Sequence, residues 1–489
     1  MKKEVIIGSI LVLLVGFSGL LVGFNAKNLT NNISNSNGLA YESLTPAQSM
    51  ELTDAIEYVK ALISQVGSMN TTGLSVEELK VQIATLVTGA AGDYTTPEVS
   101  AIATDILGVL GNPFDSVTSL LNSVLTTLKA SLTDLLAGVL NSDLTYDEMV
   151  QIEAETAAKE QGLSEPISLN GYIYYANQKS TKWVVLVHPF MTSGNLIASI
   201  LAETYLDMGY NVIAPDLRGF GRSEGSVAMG WLESLDIWDW LRYINDASNV
   251  FVASRAATEV VIHGISLGGA TTLQTWTQVG FGRDLTDMNV IGVIDDCGYS
   301  SMSGIIEAML SEGTGMELLS QITGIFGADS LYDLVGDGTV QDLLRNVIGV
   351  GISEADWDLK SDALNSGRIK SDVPIMVIHG TSDSMVSYSI SKDIVVPSAK
   401  ASNLLYDFWS VDGQQHAFII IGMNKTEYFS KVKSFVSYAE TRTPGSRVES
   451  NDNDTDEEEE EEKSFLTKLG EAITGFFSSI GNFFKNLFS

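Results

Sequence analysis

Val260-Val261-Ile262-His263-Gly264-Ile265-Ser266-Leu267-Gly268-Gly269-Ala270 is the stretch on which the fold turns. Its apolar start reads as a buried strand, and small residues follow Ser266 almost at once. A serine at the tip of a strand-to-helix turn has a strained backbone and no room for neighbouring side chains. Glycines are therefore needed two residues before it and two after, and Gly264 and Gly268 meet that need. Small residues also cluster in turns that carry no chemistry. A later acid and a later histidine decide between the two readings.

Both are found at strand ends. Pro374-Ile375-Met376-Val377-Ile378 reads as a buried parallel strand, and His379-Gly380-Thr381-Ser382-Asp383 leaves its end, which makes Asp383 the candidate acid. Asn403 to Ser410 reads as another strand, and the following loop, Val411-Asp412-Gly413-Gln414-Gln415-His416, supplies His416 as candidate base. The chain has four histidines, and the other three, His188, His263 and His379, each follow an apolar strand directly. These three are read as structural, tying loops together through their ring nitrogens. With Ser266 as nucleophile, a developing oxyanion needs two backbone N–H donors. One is Leu267, and the other is Phe190 in the loop His188-Pro189-Phe190-Met191-Thr192-Ser193-Gly194, which follows the strand Trp183 to Val187.

On these residues the chain resembles the alpha/beta-hydrolase superfamily, especially bacterial esterases, monoacylglycerol lipase-like enzymes and serine aminopeptidase-like enzymes. Serine, acid, histidine is the order of the triad in that superfamily. A second match is the strand and loop Tyr210-Asn211-Val212-Ile213-Ala214-Pro215-Asp216-Leu217-Arg218-Gly219-Phe220-Gly221-Arg222-Ser223, similar to the family's D-x-R-G-x-G-x-S. Asp216 and Arg218 read as structural, because polar loop networks order a site from outside. The usual strand-end pair in the family is His-Gly. Here it is His188-Pro189; proline has no N–H, but the donor in such enzymes is the residue that follows the pair, so the resemblance implies Phe190 as donor.

The resemblance covers roughly residues 165–440 and implies an α/β fold, a mostly parallel doubly wound sheet with a helical cap inserted at about 300–370. Helical apolar runs such as Ile305-Ile306-Met309-Leu310 and Leu318-Leu319-Ile322 fall there, and a cap would exclude water and shape the substrate pocket. The plainer alternative is a crossover helix with a long loop.

The flanks read differently. Residues 1–26 hold twenty nearly uninterrupted apolar or small residues, Val5 to Phe24, behind Lys2 and Lys3. That length spans a bilayer and reads as a transmembrane signal-anchor with the catalytic domain outside; the alternative is a cleaved signal peptide and secretion. Residues 27–44 are a polar linker. Residues 45–160 read as a helical module, with starts at Thr45-Pro46, Ser75-Val76-Glu77-Glu78, Thr96-Pro97 and Thr145-Tyr146-Asp147-Glu148. Apolar residues recur at helical spacing at Val117, Leu120, Leu121, Val124, Leu125, Leu128, Leu132, Leu135 and Leu136. Nothing in this module carries chemistry. Residues 441–462 end in six glutamates and read as a disordered acidic linker. In 463–489 a face of Phe465, Leu469, Ile473, Phe476, Ile480, Phe483, Phe484 and Leu487 opposes Lys463, Lys468 and Lys485, the pattern of an amphipathic helix on a lipid surface or docked on the protein itself.

A net charge of −33 argues against a nucleic-acid partner, since phosphates would be repelled. The histidines are scattered and Cys297 is the single cysteine, so no disulfide, metal-ligand cluster or phosphate-cradling loop is expected, and no cofactor. The sequence therefore points to a membrane-anchored serine hydrolase of lipid-like or small acyl esters, working through an acyl-enzyme. A serine peptidase or aminopeptidase with the same triad, or a non-catalytic surface interaction module on this fold, are the other readings. A peptide of residues 463–489 is expected to become helical and to sediment with lipid vesicles; a peptide that does neither contradicts the lipid-surface reading.

Overall fold

A computed structural model of the chain describes residues 46–446 except 68, 92–95, 141–143, 191, 307–340, 342–343, 346–348, 384, 418–423 and 444. The anchor, the first linker, the second linker beyond residue 446, the C-terminal amphipathic segment and most of the expected cap lie outside the described residues. Among the described residues no helix is long and apolar enough to cross a membrane.

Four helices come first: α1 (Pro46–Gly67), α2 (Val76–Ala91), α3 (Pro97–Leu110) and α4 (Val117–Leu140). Their starts are where side-chain oxygens meet otherwise unpaired N–H groups. Ser75 Oγ accepts from Glu78 N at 3.3 Å while Glu78 Oε2 accepts from Ser75 N at 2.9 Å, a capping box. Thr96 caps α3 through Val99 N, with Pro97 in the first turn where its missing N–H costs nothing. The apolar stripe of α4 is buried as its spacing predicts, with Leu120, Val124, Leu128 and Leu136 fully enclosed.

The catalytic-type unit then runs β1 (Glu148–Glu153), α5 (Glu155–Gln161), β2 (Ser168–Tyr174), β3 (Lys182–Val187), α6 (Gly194–Asp207), β4 (Asn211–Pro215), α7 (Trp231–Asn245), β5 (Glu259–Ile265), α8 (Leu267–Trp276), β6 (Val290–Asp296), β7 (Ile375–Gly380), α9 (Val396–Ala401), β8 (Leu405–Val411) and α10 (Lys425–Thr441). The eight strands form one sheet in the order β1-β2-β4-β3-β5-β6-β7-β8, antiparallel at β1-β2 and β2-β4 and parallel elsewhere. Its parallel strands are apolar on both faces because helices cover both. Trp183, Val185 and Val187 point to the side of α7 and α8, while Val184 and Leu186 point to α6 and α10.

One sequence reading is corrected here. The helix start expected at Thr145-Tyr146-Asp147-Glu148 is the entry to β1, so the helical unit ends at Leu140 and the boundary at 160 is wrong. Only Val150 of β1 is buried, with its neighbours outward, the two-residue period of an edge strand. Pairing with β2 from Glu148↔Ile173 to Glu153↔Ser168 satisfies its backbone, and that long-range partner outweighs the local capping pattern. From about 300 to 370, Ile305 and Ile306 belong to the main core, as do Leu344, Val350, Ile352 and Trp357, and a short helical turn spans Trp357–Lys360.

The helical unit is not detached. Leu196 of α6 is part of its core, so α4 packs directly on α6. Leu128→Ala is expected to lower unfolding stability by about 2–5 kcal/mol, as expected for emptying a fully enclosed leucine site. Chemical denaturation of both proteins checks this, and a change under about 1 kcal/mol would mean that the unit adds little to the folded state.

Candidate active site

The order of the sheet reverses at β3, so the loops after β3 and β5 leave neighbouring strand ends, where open α/β sheets hold their ligands. Ser266 caps α8 with φ 57° and ψ −115°, a backbone that a non-glycine residue adopts only under strain. Surrounding bonds impose it: Ser266 N donates to Asp296 O at 2.8 Å, and Ala270 N donates to Ser266 O at 2.9 Å. The two flanking glycines are required by contact. A Cβ at Gly268 would collide with the Val187 carbonyl of β3, and one at Gly264 with the Gly268 carbonyl.

Three distant stretches meet at this serine. Ser266 Oγ lies 2.7 Å from His416 Nε2, and His416 Nδ1 lies 2.7 Å from Asp383 Oδ2. An ionised carboxylate only accepts, so Nδ1 carries the proton and Nε2 accepts from the serine hydroxyl. Asp383 Oδ1 accepts from Met385 N and Val386 N, each at 2.9 Å. Burial opposes the charge on Asp383, but His416 and His379 beside it hold its carboxyl well below the usual carboxylate range. The β7 and β8 loops are fastened together: Thr381 N donates to Val411 O at 2.9 Å, Ser382 N to Gln414 O at 3.1 Å and Gly413 N to Thr381 Oγ1 at 2.8 Å. A side chain at Gly380 would strike the Gln414 carbonyl and prise them apart.

Leu267 is the first residue of α8, so its N–H has no acceptor within the helix. The Phe190 N–H makes no hydrogen bond to a described residue. Its loop is held from behind: Leu217 N donates to His188 Nε2 at 2.9 Å, which leaves the ring proton on Nδ1, 2.6 Å from Pro189 O. His188 is neutral there, its pKa pushed down to about 4 by burial. The Phe190 ring packs edge-on against Phe220 at 5.2 Å, and Phe220 against His188 at 5.7 Å.

His263 is structural as expected, wholly buried between Tyr205 OH and Tyr428 OH at 2.8 Å each, with its pKa pushed down to about 3. Asp216 accepts from Gly194 N and Arg222 N at 2.8 Å each, and Arg218 grips Asp236 through two bonds of 2.7 and 2.6 Å. Both order loops rather than touch Ser266. His379 has a closer part than its sequence reading gave it. Its Nε2 is 2.9 Å from Val386 O and 3.1 Å from Asp383 Oδ2, so it clamps the turn that presents the acid. The signal was in the sequence, four residues before Asp383. Cys297, whose sequence reading went no further than its being the single cysteine, lies beside the relay. Among the described residues, Cys297, Asp383 and His416 alone form a group with donor atoms close enough to share a metal ion. Two of them are committed to the Ser266 relay, and burial together with Asp296 and Asp383 pushes the thiol far up, so it offers no thiolate.

A family model described as serine aminopeptidase, S33, matches residues 178–280, which contain β3 to β5, the Phe190 loop, the Asp216 loop and the Ser266 turn. The sheet around those residues has the alpha/beta-hydrolase fold. No curated protein matches this chain. Among solved structures it is similar to an esterase of Pyrococcus furiosus at 17% identity and TM-score 0.42, over 60% of this chain and 94% of that one. An alpha-beta hydrolase of Vibrio vulnificus is similar at 18% identity and TM-score 0.37, over 66% and 95%. An esterase of Butyrivibrio proteoclasticus follows at 16% identity and TM-score 0.35, over 56% and 96%.

Asp295, at the end of β6, is fully buried; its Oδ1 accepts from Gly298 N at 3.0 Å and its Oδ2 has no partner among the described residues. Burial pushes its pKa up to about 7. The folded state therefore binds a proton there that the unfolded chain releases near pH 4, and this site costs stability as pH rises from about 4 to about 7. Asp295→Asn lacks that titration. Its melting midpoint relative to the parent protein is expected to rise between pH 5 and pH 8, and a difference that stays constant or falls would show that Asp295 is ionised in the fold.

Proposed function

We propose that this alpha/beta hydrolase is a serine hydrolase that cleaves carboxylic esters of lipid-like or small acyl chains through an acyl-enzyme on Ser266. The observation that carries the reading is the continuous relay from Ser266 Oγ through His416 to Asp383, with 2.7 Å at each link, on a strained turn. His416 Nε2 takes the hydroxyl proton as Oγ attacks the carbonyl carbon. The oxygen of that carbonyl becomes an oxyanion and is met by the N–H groups of Leu267 and Phe190. Collapse expels the alcohol, which leaves with the proton held by His416. Water then repeats the sequence on the acyl-enzyme, with His416 as base, and releases the acid. Asp383 stays ionised throughout and stabilises the imidazolium.

Ester rather than peptide cleavage is favoured by the side chains next to these groups. Phe190, the second proposed oxyanion donor, Phe220, which packs on it, and Met385, whose N–H donates to Asp383, are partly buried apolar residues. A serine aminopeptidase reading is favoured by the description of the matching family model. Such an enzyme needs an accessible free carboxylate for the substrate's amino group; Asp383 is engaged by His416, His379 and two backbone N–H groups, and the unpartnered oxygens of Asp295 and Asp296 are fully buried. The membrane address rests on sequence: Val5 to Phe24 behind two lysines would hold the enzyme at the outer face of a bilayer, next to lipid esters.

A fluorophosphonate probe is expected to label the protein, and Ser266→Ala is expected to lose labelling and to lose turnover by about a thousandfold or more at an unchanged unfolding midpoint. A panel of p-nitrophenyl esters and aminoacyl anilides then separates the two chemistries, with turnover of esters alone expected. Anilide turnover would move the assignment to a peptidase, and an unlabelled parent protein would leave a non-catalytic surface module.

A further inference from the structure

The helical unit reaches into the catalytic-type unit at one polar point. Asp134, on α4, uses both carboxylate oxygens there. Oδ1 accepts from Asn195 Nδ2 at 3.0 Å, and Oδ2 pairs with Arg222 Nη1 at 2.5 Å. Asn195 and its neighbour Gly194 open α6, the helix into which the Phe190 loop runs. Arg222 sits in the loop after β4, and its backbone N donates to Asp216 Oδ2 at 2.8 Å. Asp216 Oδ1 in turn accepts from Gly194 N at 2.8 Å. Asp134, Arg222, Asp216, Gly194 and Asn195 thus close a ring, four of its links hydrogen bonds or an ion pair and the fifth the peptide bond between Gly194 and Asn195.

That ring holds one end of the Phe190 loop. The other end is held by Leu217 N on His188 Nε2, and Leu217 belongs to the same loop as Asp216 and Arg222. Both anchors of the Phe190 N–H therefore lie on residues 216–222, and the one tie from that segment to the helical unit is the Arg222 to Asp134 pair among the described residues. We propose that Asp134 is a positioning residue, by which the helical unit sets the place of the Phe190 N–H.

The energetics fit a tuning role. Asp134 and Arg222 are 27% and 34% exposed at their side chains, so the pair is partly screened, whereas Asp216 is buried. Without Asp134 the described side-chain partner left to Arg222 is the Tyr172 hydroxyl at 2.9 Å, itself 3.3 Å from Asp216 Oδ2. The guanidinium is then drawn towards Asp216, and the grip of that carboxylate on Gly194 N changes. A donor aimed at an oxyanion loses effect with small displacements, so the change falls on the chemical step rather than on substrate binding. The shared core at Leu196 makes α4 and α6 move together and gives the polar ring a fixed base.

The inference rests on the proposed role of Phe190, and two readouts on the full chain separate them. The variants are Asp134→Asn, Arg222→Gln, which keeps the backbone N–H to Asp216, and the double variant. Each single variant is expected to lower kcat for an ester by roughly threefold to tenfold with KM unchanged. The double variant should fall short of the product of the two effects, because both break one link. Amide exchange at Phe190, Thr192, Ser193 and Gly194 should quicken in all three, with exchange within α7 and α8 unchanged. Parental kcat in either single variant, effects that multiply, or unchanged exchange in the loop would each overturn the proposal. If the parent protein turns over no ester, the hydrolase reading fails, and the exchange measurement alone decides whether Asp134 holds the loop.

Discussion

The close approach of the turn after β5 to the backbone of β3 governs this molecule. Gly268 lies against the Val187 carbonyl and Gly264 against Gly268, with no space for a methyl group at either. That contact fixes the start of α8, forces Ser266 to a positive φ and sets its hydroxyl above the carboxyl edge of the sheet. It also places the Leu267 N–H beside the loop that carries Phe190. The strain at Ser266 is held because strands on both sides, β3 and β6, are fully paired within the core.

Around that point the polar groups are arranged so that few charges are left without compensation. The four histidines take up their bonds in distinct ways. His188 and His263 are locked neutral between fixed partners, His379 clamps the acid turn, and His416 alone links Ser266 to a carboxylate. Arg218 neutralises Asp236, and Asp216 is satisfied by two backbone N–H groups and a tyrosine hydroxyl. In a chain of net charge −33 the acids inside the fold have an ordering task, and most of the remainder lies at the surface or in the C-terminal run.

The helical unit shows how local and long-range preferences compete. Where capping residues precede an apolar stripe, as at Ser75 and Thr96, helices form as the sequence indicates. At Thr145 to Glu148 the same kind of start is overruled, because β2 would otherwise present an unpaired edge and Val150 finds a core on that sheet. Local capping contributes about 1 kcal/mol, less than a ladder of strand bonds with a buried side chain.

Sequence by itself determined the parallel strands, the serine turn and the choice of Ser266, Asp383 and His416, the three residues that the fold joins by hydrogen bonds. Each of these depends on short-range features: an apolar run, a glycine at a fixed offset, or a loop that directly follows a strand. It also named Phe190 and Leu267 as the proposed oxyanion donors, since a candidate donor next to a strand end needs no knowledge of distant contacts. Only the tertiary structure decided that residues 148–153 join the sheet, that His379 braces Asp383, and that Asp134 on a helix lacking chemistry meets Arg222 behind the Phe190 loop. The physical reason is sequence separation. Asp134 and Arg222 carry no mark of each other along the chain, and their pairing exists because α4 and α6 bury a common apolar core that brings the two side chains within reach.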